Sequence, residues 1–197
     1  EHPVTLDKVS DAVPMLVLGL AKKVLLADNL GTAFQSISAL SSGSLSGGSA
    51  WLGAIFYSLQ LYFDFSGYSD MAIGMAKLFG FDFEANFDHP YLSGSLTEFW
   101  RRWHISLGRW FRDYVYIPLG GSRVSTAKCI RNLLIVWILT GLWHGASWTF
   151  AAWGLYHGIL LLLEKYPLKG VLEKTPSPIR HILTLLAVII GWGLFFS

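Results

Sequence analysis

Hydrophobic positions in this chain gather into long runs rather than alternating, and those runs define its elements. A membrane-crossing helix needs about 20 apolar residues. The first run, AVPMLVLGLAKKVLLADNL at 12–30, is interrupted by Lys22 and Lys23. That suits a helix that ends at a membrane interface or lies along it. SALSSGSLSGGS at 38–49 is a Gly/Ser loop with no capacity to build a core. The next run, AWLGAIFYSLQLYFDF, predicts a membrane segment at about 50–66 and continues into SGYSDMAIGMAKLFGF. The longest run, 132–163, contains no Asp, Glu, Lys or Arg. It is too long for one span and too short for two full spans with a loop. The pattern therefore predicts two shortened or tilted helices that break around Gly141–Gly145. A polar connection from Glu164 to Pro178 leads into a last apolar run at 179–197. Nothing alternates with the period of a transmembrane barrel strand, so the predicted class is all-α, a polytopic membrane protein.

Composition agrees with that class. Hydrophobic residues make up 53% of the 197 and charged residues 14%, against roughly 25% charged in a typical soluble domain. Nothing points to nucleic acid as a partner. A lone Cys129 excludes an internal disulfide framework and any cysteine-based metal site. The last run stops at Ser197 with no flanking charge, which reads as a piece of a longer multi-span protein, a partial domain over 1–197.

Charge placement sharpens the picture. Between Trp100 and Arg131 lie Arg101, Arg102, Arg109, Arg112, Arg123, Lys128 and Arg131 against a single Asp113. The positive-inside rule puts this section in the cytoplasm. Within it, TEFWRRWHISLGRWFRDY at 97–114 has helical amphipathicity. Phe99, Trp100, Trp103, Leu107, Trp110, Phe111 and Tyr114 fall in a sector of roughly 120°, with the arginines opposite. The expectation is one interfacial helix, rings entering the acyl boundary and guanidiniums meeting the anionic head groups of membrane lipids. Ser95 and Glu98 have capping-box spacing at its start. His104 lies at the edge of the aromatic sector. It is either a boundary residue of a membrane anchor or a titratable group at the cytoplasmic mouth of a cavity.

LTGLWHGASWTF at 139–150 places His144 inside the uncharged run, with Gly141 and Gly145 beside it. Non-helical backbone at membrane depth survives only where protein or a wet cavity satisfies it, so His144 would line such a cavity, with Trp143 and Trp148 as walls. Such a histidine is either a hydrogen-bonded structural group between helices or a functional one. A neutral imidazole there can accept a proton as a general base. No metal site is expected. His144 and His157 are thirteen apart, on different faces of any continuous helix, and no H-x-x-x-H or H-E-x-x-H pair exists. His157 reads as packed or interfacial. Asp64 and Asp70, six apart, do not share a helix face; Asp64, Ser66, Tyr68 and Ser69 make one helix end polar, consistent with a wet interior or with capping of a break at Gly67.

YFDFSGYSDMAIG, FWRRWHISLGRWFRDYVYIPLGG and LTGLWHGASWTFAAWGLYHG, in that order, resemble the membrane-bound O-acyltransferases. The bacterial branch containing the alginate O-acetylation protein is nearest, with the D-alanyl transfer protein of teichoic acids more distant. The resemblance runs from about Val17 to Gly158. It implies a helical bundle around a tunnel in the bacterial inner membrane. His144 matches the family's active-site histidine and His104 its second, cytoplasm-side histidine. It further implies an acyl thioester donor (acetyl-CoA or an acyl carrier), no bound cofactor, and an acceptor on the other side. That acceptor would be an exported polysaccharide or an extracytoplasmic acetyltransferase partner. His144 would take the acceptor's proton, with Trp143, Trp148 and Ser147 as potential oxyanion donors. A competing reading is a proton-coupled transporter or channel using the two histidines as relays.

Overall fold

The computed structural model describes residues 3–41 and 43–196; Ser197, the end of the last apolar run, lies outside them. Every regular element among the described residues is helical. The chain forms two compact units, one up to Asn86 and one from Phe87.

In the first unit, α1 (Leu6–Ala21), a π-helical turn (Lys22–Ala27) and α2 (Asp28–Ser38) make one continuous helical run. It packs antiparallel on α3 (Gly47–Leu78), whose start carries a Ser46–Ser49 capping box. The alternative that a helix ends around Lys22 and Lys23 is corrected: the run passes straight through them. The reason is non-local. Lys22 Nζ lies 2.6 Å from Asp70 Oδ2 and Lys23 Nζ 2.7 Å from Asp64 Oδ1, so each ammonium meets a carboxylate of α3. Nor does α3 break at Gly67. That glycine is instead a point of close approach, where a Cβ would stand 2.7 Å from the Gly19 carbonyl oxygen.

The second unit begins with α4 (Leu96–Arg102) and α5 (Ile105–Phe111), followed by a π-helical turn (Arg112–Tyr116). The single helix expected over 97–114 is therefore two. Trp103 is extended and His104 adopts the left-handed conformation, φ 47° and ψ 56°, which cannot propagate an α-helix. The destination of the aromatic face also differs from expectation. Phe99 is 0% and Trp103 6% exposed, packed against Trp192 and each other in the protein interior, while Trp110 and Tyr114 are exposed. A helical wheel reports that one side is apolar without saying whether lipid or protein covers it.

The uncharged stretch is an antiparallel pair, α6 (Thr126–His144) and α7 (Trp148–Lys165), separated by Gly145, Ala146 and Ser147. Gly154 makes their contact possible. A Cβ there would sit 2.3 Å from the Trp137 carbonyl oxygen, so only a glycine permits this interhelical approach. Short α8 (Lys169–Lys174) leads to α9 (Ser177–Phe196), which packs on α7. Among the described residues two helices, Thr126–His144 and Ser177–Phe196, are long and apolar enough to cross a membrane. At the base of α6, fully buried Asn132 donates to the Leu119 carbonyl at 2.9 Å and the Gly121 carbonyl at 3.4 Å. It thereby holds the IPLGG turn, whose Gly120 and Gly121 both have positive φ.

Candidate active site

His144 is the last residue of α6, and its ring sits in an aromatic enclosure. Trp143, Phe195 and Trp153 lie 5.0, 5.1 and 5.2 Å away by ring centroid. Its imidazole makes no hydrogen bond to protein among the described residues. His104 reaches the same place from the α4–α5 kink, its ring 5.9 Å from that of Trp143. Both histidines line one cavity of about 620 Å³. Burial, and then the neighbouring His144, push the His104 pKa down to about 4. This imidazole is therefore neutral near pH 7.

Trp100, Trp103, Trp137 and Trp153 wall the cavity, Leu133, Val136 and Thr140 follow α6 towards His144, and the basic side chains Arg101, Lys165 and Lys169 also line it. From Leu133 to His144 the helix climbs roughly 16 Å at 1.5 Å per residue. Glu164 also lines it and fixes α4. Its carboxylate accepts the Leu96 N–H at 2.8 Å, the Thr97 N–H at 3.0 Å and the Thr97 hydroxyl. These are donors a helix start leaves without intrahelical partners. Ser95 caps the same helix through the Glu98 N–H, while the Glu98 carboxylate reaches the Gly94 N–H rather than closing a box on Ser95.

Several expectations about individual residues change. Trp148 is 90% exposed and Ser147 serves as the N-cap of α7, so neither faces the cavity; Trp143 touches both histidine rings without forming its wall. Of the four tryptophans that wall it, Trp100 and Trp153 have indole nitrogens buried without acceptors. Sequence reasoning missed Trp153, nine residues after His144 and across a helix break that no periodicity spans. His157 is packed, with 0% exposure, between Trp100, Trp137 and Trp153, and neither ring nitrogen has a partner. Asp64 and Asp70 pair with Lys23 and Lys22 and belong to the other unit.

The description of one protein family, "MBOAT, membrane-bound O-acyltransferase family", matches residues 8–196. "Probable alginate O-acetylase AlgI" of Azotobacter vinelandii is 50% identical over 97% of this chain and 38% of its own length. "Peptidoglycan O-acetyltransferase" of Helicobacter pylori is 49% identical over 75% of this chain and 28% of its own. "Teichoic acid D-alanyltransferase" of Streptococcus thermophilus is 34% identical over 81% of this chain and 41% of its own. The chain thus spans less than two-fifths of the length of the alginate O-acetylases it matches.

Proposed function

The chain belongs to the membrane-bound O-acyltransferase family, and from that premise we propose that it forms the catalytic section of a multi-pass inner-membrane enzyme. The enzyme moves acetyl from a cytosolic thioester to hydroxyls of an exported polysaccharide, directly or through an extracytoplasmic transferase. The observation that carries this reading is the convergence of His104 and His144 on one aromatic-walled cavity that Arg101, Lys165 and Lys169 also line.

In the proposed reaction, His144 accepts the proton of the acceptor hydroxyl as its oxygen attacks the thioester carbonyl. The tetrahedral intermediate collapses with cleavage of the C–S bond, and His144 returns the proton to the departing thiolate. Acceptor and thioester become an ester and a free thiol. The aromatic walls keep water from the thioester, which limits hydrolysis. His104, neutral and adjacent, positions the donor's carbonyl. Arg101, Lys165 and Lys169 suit a carrier bearing phosphate.

The relatives bear the names of transferases, which favours this reading over a transporter that uses the same histidines as relays. Mass spectrometry of surface polysaccharides from cells carrying the intact protein or its His144→Ala variant is the decisive test. Loss of acetyl groups with the variant still present in the membrane supports the proposal. Unchanged acetylation overturns it.

A further inference from the structure

Arg180, half-buried, makes no ion pair among the described residues. It stands in the first turn of α9, with its Nε buried and lacking any hydrogen-bond partner. The positive end of a helix dipole is an unfavourable place for a cation, and a buried, unpaired guanidinium nitrogen adds a desolvation cost. The surrounding carboxylates do not relieve it. Glu98 is taken by Arg102 at 2.8 Å and by the Gly94 N–H. Glu164 is taken by Leu96 and Thr97. Glu173 lines the adjoining cleft but makes no ion pair with Arg180.

Two clefts meet at this side chain. One, about 370 Å³, is lined by leucines including Leu160, Leu163, Leu172 and Leu183. The other, about 500 Å³, is polar, with Gly94, Ser95, Glu98, Ser177 and His181 around it, the Glu98 carboxylate being held by Arg102. An apolar slot and a polar slot joined at an uncompensated cation have the layout of an amphiphile with an anionic head. The chain belongs to a membrane-bound family, so lipid is the amphiphile at hand.

We propose that these joined clefts bind one anionic phospholipid, its phosphate on Arg180 and an acyl chain along the leucines between α7, α8 and α9. The occupant supplies a negative charge to Arg180 and fills the leucine cleft. The site is separate from the two histidines and does not depend on the acyl-transfer reading.

The test uses the intact protein in mild detergent, challenged in turn with phosphatidylglycerol, phosphatidylcholine and inorganic phosphate. Retained lipid is counted by native mass spectrometry and the thermal midpoint is followed alongside. Phosphatidylglycerol should be retained and raise the midpoint, with phosphatidylcholine weaker and phosphate without effect. Arg180→Gln should weaken phosphatidylglycerol retention about tenfold, the loss of one charge-assisted contact, and Arg180→Lys should restore part of it. Leu172→Trp, which obstructs the chain slot while keeping Arg180, should also reduce retention. Equal retention of the two lipids, or an Arg180→Gln protein that folds and holds phosphatidylglycerol as well as before, overturns the proposal. So does a midpoint rise with phosphate alone, which would make the site one for a free anion.

Discussion

The carboxylate of Glu164, near the end of α7, receives the backbone N–H of Leu96 at 2.8 Å, sixty-eight residues earlier in the chain. One side chain from a distant helix thereby caps α4, the seven-residue helix that leads to His104. Glu164→Ala leaves the Leu96 and Thr97 donors unsatisfied, and the expected cost is about 1–3 kcal/mol of stability. Thermal melts of the intact protein in detergent measure it. Because α4 carries Trp100 of the cavity wall, use of the thioester donor should fall as well. A melt indistinguishable from the parent protein would show that the cap contributes nothing.

His144→Ala should remove acyl transfer by at least the roughly 10²–10⁴-fold that a general base contributes, while donor binding stays near normal. His104→Ala should weaken donor use and leave residual turnover, since positioning is partly replaceable and proton acceptance is not. Transfer and donor-binding assays in liposomes, with a melt for each variant, separate the two. Equal binding defects in both variants would end this division of labour.

Acid should destabilise the protein in part through His104. Its folded-state pKa, about 4, lies below the unfolded reference of about 6.5. Between those values the unfolded chain binds more protons than the folded one, so stability falls as pH drops through that window and levels off below it. Melts from pH 7 to pH 4.5 should decline less steeply for His104→Gln than for the parent protein. Parallel slopes would remove His104 as a contributor.

The Lys22–Asp70 pair is part-buried, so its worth lies between the ~1 kcal/mol of an exposed pair and the ~3–5 kcal/mol cost of orphaning a buried charge. Lys22→Met should therefore destabilise more than the double variant Lys22→Met/Asp70→Leu, which leaves no unpaired carboxylate. Thermal midpoints of the parent, both single variants and the double variant decide this. Additive losses would mean that the ions are solvated independently.

Reading the chain in one dimension recovered what is local. An uncharged run too long for one helix and marked by glycines announced a break, and the structure separates α6 from α7 at Gly145–Ser147. A scarcity of ionisable residues in apolar surroundings drew attention to His144. What it lost depended on partners distant in sequence. Lys22 and Lys23 looked like interruptions until Asp70 and Asp64 were placed opposite them. Phe99 and Trp103 looked like lipid anchors because amphipathicity does not identify the covering phase, here Trp192 and each other. The kink at His104 had no warning, because the left-handed residue is neither glycine nor next to proline.

That kink places two independent demands on residue 104. The backbone must hold φ at 47°, a region that glycine, asparagine, aspartate and histidine enter readily and that β-branched residues resist. The cavity, separately, receives an imidazole. A saturation library at this position should therefore yield two rankings that do not track each other. Abundance in the membrane would sort variants by tolerance of the left-handed region, with Gly and Asn above Val and Ile regardless of polarity. Turnover would single out His. Alanine changes both at once, so its turnover is read only beside its melt, and asparagine is the substitution that isolates the ring.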